Sequence, residues 1–186
     1  MRHLFSALRL FLIMTVLTGI IYPLIITGIG QIVFPRQANG SIITVDGKIK
    51  GSELVGQKFI SSRYFWGRPS AIDYNPMPSG ATNFGPTSVG LPNALQQCRK
   101  QFEDLDWRAV PSDMLFASGS GVDPHLSPDA ARLQINRIAH VRGFRVEQRQ
   151  KIVDLMEHLI ETPQWGIFGE PRVNVFLLNV ALDQIK

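Results

Sequence analysis

Between Ser118 and His125 the chain places a serine, a carboxylate and an imidazole within eight positions, in the run Ser118-Gly119-Ser120-Gly121-Val122-Asp123-Pro124-His125. Ser120, Asp123 and His125 are the residue types of a hydrolase triad, in which histidine takes the serine proton and a carboxylate holds the imidazole. That chemistry needs the groups close in space rather than in chain, and Pro124 limits how Asp123 and His125 turn towards each other. No Gly-x-Ser-x-Gly elbow joins a strand to a helix here. A stand-alone anchored hydrolase is therefore the weaker reading. The run Ser118, Gly119, Ser120 and Gly121 also has the composition of a loop whose backbone N–H groups face a phosphate, which makes it a candidate nucleotide contact. It lacks Gly-Lys-Ser/Thr, and a tight turn accounts for its glycines better. His3, His125, His140 and His158 show no paired ligand spacing, so no metal site is expected.

The elements around this run must hold it in place. Met114-Leu115-Phe116-Ala117 is a short apolar stretch that reads as a strand leading in. Ser127-Pro128-Asp129 opens a helix on the far side, with a cap serine, proline at the first position and an early acid. Ala131, Ile135, Ile138 and Val141 form its apolar face, and Gly143 stops it. Arg137 and Arg142, with His140 between them, read as its solvated side. A further helix spans about 146–161 on Ile152, Leu155, Met156 and Leu159, and a last one follows Pro171 on Val173, Phe176, Leu177, Val180 and Ile185. Trp165 and Phe168, in a Gly-bounded loop, are either a core plug or an interface anchor. Upstream, Asp46-Gly47 between Ser41–Val45 and Lys48–Lys50 predicts a two-residue hairpin. The stretch from Ser61 to Pro92 is a long Gly/Pro/Ser/Asn-rich loop, ordered by Tyr64, Phe65, Trp66 and Phe84. From Asn93 the spacing places Leu95, Cys98, Phe102 and Leu105 on one helical face. Strands and helices mix without regular alternation, which predicts an α+β domain.

An uncharged run, Leu10 to Pro35, lies between Arg9 and Arg36. At about 1.5 Å per residue it reaches roughly 39 Å as a helix, enough to cross a bilayer with tilt. It is too long for a signal peptide, and no small-x-small site follows it, so a retained anchor is expected. Arg2 and Arg9 in the short leading tail favour a cytoplasmic N-terminus, which places the domain that follows the span, residues 36–186, outside. The span contains Thr15, Gly19 and Pro23; the proline should kink it, and Thr15-x-x-x-Gly19 would let a partner helix approach closely. Cys98 is the only cysteine, so no intrachain disulfide forms. The net charge of +4 is spread along the chain, and no nucleic-acid patch stands out.

Three motifs carry a family likeness. They are Tyr22-Pro23 in the span, Tyr74-Asn75-Pro76 through Ser79-Gly80 to Asn83-Phe84-Gly85-Pro86-Thr87, and Ser118 through Asp123, Pro124 and His125 to Pro128. With Val173-Asn174-Val175, Leu178-Asn179 and Leu182-Asp183, they make the chain resemble the C subunit of Kdp-type potassium-transporting ATPases over nearly the whole chain from about Thr18. The resemblance implies an accessory, non-catalytic subunit of an ATP-driven potassium importer in the bacterial inner membrane. Its partners would be a channel-like potassium-binding subunit, a P-type ATPase subunit and a small membrane peptide. The implied role is that of a catalytic chaperone, supporting assembly and ATP use or acting at the periplasmic potassium entrance. ATP and potassium would be handled by the complex, with no cofactor of the chain's own. Within the motif loop, Asn75, Pro76, Asn83 and Gly85 match the family, whereas Met77-Pro78-Ser79-Gly80-Ala81 departs from the Gly-rich pattern, and Pro78 and Ala81 stiffen it.

Overall fold

A computed structural model describes residues 2–100, 102 and 110–185. The chain divides into two compact units, Met1–Ser52 and Glu53–Lys186.

In the first unit, helices α1 (Arg2–Val16) and α2 (Tyr22–Val33) are joined by a π-helical stretch, Leu17–Ile21. They form a single helical run, Arg2–Val33, with mean hydropathy 2.3 over its most apolar window and none of that window buried. It is long and apolar enough to cross a membrane. The helix starts well before the uncharged run, because arginine is itself a good helix former and nothing caps or breaks the chain at Arg9. The irregularity attributed to Pro23 lies one turn earlier. Proline has no N–H for the Gly19 carbonyl, and the ladder widens so that the Tyr22 N–H reaches back five residues to the Leu17 carbonyl. The hydroxyls of Thr15 and Thr18 close back onto the Phe11 and Met14 carbonyls at 2.8 and 2.7 Å. Phe34 leaves the helix at φ −131°, as the residue before Pro35 must, and α3 (Pro35–Ala38) follows. Strands β1 (Ile42–Val45) and β2 (Lys48–Ser52) pair antiparallel, with Val45 opposite Lys48. Asp46 and Gly47 sit at φ 51° and 71°, the paired left-handed residues that a two-residue hairpin requires.

The second unit is α+β. A three-stranded antiparallel sheet, ordered β3 (His125–Leu126), β5 (Arg172–Asn174), β4 (Ile160–Glu161), carries helices α5 (Pro128–Arg142), α6 (Val146–His158) and α7 (Val175–Leu182). Its core joins Ile135 and Ile138 of α5, Ile152 and Met156 of α6, Leu178 and Leu182 of α7, Val173 of β5 and Phe65 from the long loop. Helix α5 begins and ends as its residues dictate: the Ser127 hydroxyl accepts the Ala130 N–H at 3.2 Å, and Gly143 closes the helix at φ 67°. Helix α4 (Gly90–Lys100) starts three residues before Asn93, with Pro92 in its first turn, and Leu95 and Cys98 lie on it half-buried. Phe102 is buried beyond its end, and Leu105 lies outside the described residues.

Several expectations are corrected. Residues 114–117 are not a strand: Pro111 starts a 3-10 turn, Ser112–Met114, and only Met114 of that apolar run is fully buried. Helix α6 stops at His158 and the chain turns into β4, so Glu161 is a strand residue. After Pro171 the chain first pairs as β5; Val173 is therefore a strand residue, and α7 begins only where the Asn174 side chain accepts the Leu177 N–H at 3.1 Å. Val141 points to solvent, and Gln134 and Ala139 take buried positions on α5 instead. Phe84 is exposed, so of the loop's aromatics it is Phe65, with Tyr64 and Trp66 half-buried beside it, that packs into the core.

Candidate functional site

The two motif loops meet in the second unit. The Gly80 N–H donates to the Ser120 carbonyl at 3.0 Å, the Ser118 N–H to the Pro69 carbonyl at 3.0 Å, and the Ser70 hydroxyl to the Gly121 carbonyl at 2.6 Å. Ser70 also accepts the Ile72 and Tyr74 N–H groups, so one hydroxyl shapes the start of the loop and ties it to the Gly/Ser run. Gly121 sits at φ 73°, where an added Cβ would lie 2.4 Å from Ile72 and 2.7 Å from the Gly80 carbonyl oxygen. On the other side the Gly56 N–H donates to the Val122 carbonyl at 2.7 Å. The remaining motif residues form the exposed tip: Asn75 accepts the Met77 N–H at 3.1 Å, the Met77–Pro78 peptide is cis, Asn83 is left-handed at φ 53°, and Pro76 and Gly85 face solvent.

Beneath this junction lies an ion cluster. Arg68 reaches the Asp123 carboxylate at 3.0 Å, and the other carboxylate oxygen accepts the His125 backbone N–H at 3.0 Å, with His125 Nδ1 3.5 Å away. Burial alone would raise the Asp123 carboxyl. Hydrogen bonds from the His125 side chain and backbone and from Arg68, together with the Arg68 charge, outweigh it and hold the group at about 2 against an ordinary 3.8. Burial foremost, and then the Asp123 charge, pushes the Tyr74 phenol up to about 12 against the opposing Arg68 charge. Tyr74 thus stays protonated and donates to the Arg68 carbonyl at 2.5 Å. Pro124 is buried between the two functional-looking residues, and its carbonyl accepts the Val175 N–H at 2.9 Å, anchoring the run to α7. An open groove of about 510 Å³ runs past the cluster, lined among others by Arg68, Asp123, His125, Glu170 and Arg172.

The arrangement does not bring Ser120 onto His125. No hydrogen bond joins Ser120 to His125 among the described residues: the Ser120 hydroxyl accepts the Val122 N–H at 3.2 Å on its own turn, and His125 faces Asp123. Of the N–H groups in and after the Gly/Ser run, those of Ser118, Gly121 and Val122 are already taken by Pro69, Ser118 and Ser120. Spacing alone gave no hint of Arg68; its only signal was an arginine between Gly67 and Pro69 in a loop rich in both residue types.

The side of α5 that carries Arg137 and Arg142, expected to be solvated, is covered. Arg137 lies 3.7 Å over the Trp66 ring and donates to the carbonyls of Ser62 and Tyr64 and to the Gln134 side-chain oxygen. The Arg142 side chain is only 7% exposed and bridges the Arg63 carbonyl and Asp183 at 2.8 Å each. Of the three residues only His140 is exposed. The loop from 62 to 66 folds onto this face, and a helical wheel contains no trace of a partner so far away in sequence.

Because the folded Asp123 pKa lies below its unfolded value, its contribution is complete above the ordinary carboxyl range and is lost as pH falls from about 5 towards 2. With allowance for partial exposure this amounts to about 1–2 kcal/mol. Acid unfolding of the full chain in detergent should be shallower in that window for Asp123→Asn than for the native sequence; parallel curves would show that the cluster contributes nothing.

A family model described as KdpC, the c chain of K+-transporting ATPases, matches residues 4–184. The potassium-transporting ATPase KdpC subunit of Methylococcus capsulatus is 45% identical over 190 residues, covering 99% of this chain and 98% of that one. The corresponding subunits of Dechloromonas aromatica and Caldanaerobacter subterraneus are 43% and 46% identical, over 97% and 94% of this chain and 96% and 92% of theirs.

Proposed function

The chain belongs to the KdpC family, the c chain of K+-transporting ATPases, and from that premise we propose that it works as a shaped, non-reacting subunit on the periplasmic side of the transporter. Its accessory place in a potassium-transport complex follows from the family. The finer role rests on the site: Arg68 and the His125 backbone N–H hold the Asp123 carboxylate, and that cluster fixes the surface the motif loops present. Such a surface supports assembly with the channel-like and P-type ATPase subunits, and aids ATP use through subunit packing at the potassium entrance. The most apolar window of the run Arg2–Val33 has no buried residue, which suits burial in lipid and against a partner helix. Thr15 and Gly19 lie one turn apart on that run, and space is open beside Gly19. Arg2 and Arg9 in its short leading tail support a cytoplasmic N-terminus.

Orientation is tested by a single surface thiol. Burial raises the Cys98 thiol and makes it a poor reporter, so the probe is Val146→Cys, at a position 83% exposed, in a Cys98→Ser background. A membrane-impermeant maleimide should label it in intact spheroplasts. Labelling only after lysis would put the domain in the cytoplasm, overturn the packing role and favour nucleotide contact at Ser118–Gly121.

A further inference from the structure

Strands β4 and β5 pair with Glu161 opposite Arg172, and between them the chain runs out as an arm that ends in Trp165-Gly166-Ile167-Phe168. The arm is stiff. Its base is closed by an ion pair from Arg172 to Glu161 at 2.9 Å, and Pro163 and Pro171 restrict its two legs. At the tip the Gln164 N–H meets the Phe168 carbonyl at 2.9 Å. The Gly166, Ile167 and Phe168 N–H groups donate to Pro163 and Gln164 carbonyls at 2.9, 3.1 and 3.0 Å. The side chains held by this scaffold are apolar and face water: Trp165 is 87% exposed, Ile167 77% and Phe168 60%, with the two rings packed edge to face at 5.9 Å. A core plug is thereby ruled out. Trp165 also occupies the left-handed region at φ 54°, a conformation that costs a tryptophan and that glycine would adopt freely.

A rigid turn that spends strain to hold an aromatic wedge in water is built for a shaped receptor. We propose that the Trp165–Ile167–Phe168 tip is a docking wedge that enters an apolar socket on another chain of the same ATPase, with Glu170 facing a basic group on the socket rim. The partner class rests on the family reading; the socket chemistry rests on the arm. A bilayer surface fits less well. Interfacial anchors carry lysine or arginine beside their aromatics, whereas here Arg172 is taken by Glu161 and the charge left on the arm is that of Glu170, which has no ion pair among the described residues. Lipid also asks for no fixed turn, so the strain at Trp165 would serve nothing there.

The test uses the assembled transporter in native membranes, with the photo-cross-linker p-benzoylphenylalanine in place of Ile167. An adduct between this chain and another ATPase chain, identified by mass, is the expected result. Adducts to lipid alone, to a second copy of this chain or to nothing, with the complex intact, would overturn the wedge. Trp165→Gly supplies the second readout. Glycine relieves the left-handed backbone, so the chain should melt no lower than the native sequence, while binding to the partner weakens roughly thirtyfold and Trp165→Phe largely restores it. Native-level co-purification of Trp165→Gly would refute the proposal. A native chain that brings down no other ATPase chain would refute the family-level role and the wedge with it.

Discussion

Replacing Asn179 with alanine is expected to cost the second unit about 3–5 kcal/mol of stability. Asn179 is buried on α7, and its amide does the work of a missing strand neighbour for Phe65. The Phe65 N–H donates to its side-chain oxygen at 2.8 Å, and its side-chain nitrogen donates to the Phe65 carbonyl at 2.9 Å. Alanine orphans both backbone groups where no water reaches, at about 1–3 kcal/mol each, and leaves a small void. Asn179→Leu separates the two effects, because it fills the space but still strands the backbone. Urea unfolding of the full chain in detergent should show both variants destabilised. A leucine variant as stable as the native chain would mean that packing, and not the amide clasp, holds Phe65 in the core. Gln134 grips the next residue in the same way, accepting the Trp66 N–H at 2.8 Å and donating to its carbonyl at 3.1 Å. Two side-chain amides thus dock the long loop onto α5 and α7, and the loop then leads to Arg68.

That dependence explains what could and could not be read in advance. Features decided within a few residues were legible: the Asp46-Gly47 hairpin, the Ser127 cap with Pro128 behind it, the Gly143 stop and the apolar membrane-length run. Features decided by distant partners were not. β3 and β4 are two residues long and exist only because β5 lies between them, so no period-two pattern could announce them. Met114–Ala117 had a strand's composition without a strand's neighbour. Arg137 and Arg142 had the spacing of a wet face, until the loop from 62 to 66 covered them. The candidate site divides along the same line. Its motif residues were visible as a family pattern, but Arg68, which reaches the Asp123 carboxylate at 3.0 Å, became apparent only when the two loops were seen to close on each other.

Closure of those loops rests on two glycines, which yields the second large prediction. Gly121→Ala meets two penalties together. Its φ of 73° costs any L side chain about 1–2 kcal/mol, and the new methyl falls 2.7 Å from the Gly80 carbonyl oxygen, a backbone atom that is itself tied through the Gly80 N–H to Ser120. With overpacking at about 1–3 kcal/mol the total is roughly 2–5 kcal/mol. Gly56→Ala isolates the steric part, since its methyl would lie 2.5 Å from the Asp123 carbonyl oxygen and 2.9 Å from the carbon that bears it. Neither atom can retreat without moving the carboxylate held by Arg68 and His125. Thermal melting of the full chain should therefore fall for both, further for Gly121→Ala, and the pH dependence assigned to Asp123 should shrink in Gly56→Ala. A Gly56→Ala chain that melts lower yet keeps the native acid profile would show that the close approach sets stability alone and leaves the ion cluster undisturbed. Loss of both together would show that one backbone contact positions the cluster on which the motif loops are built.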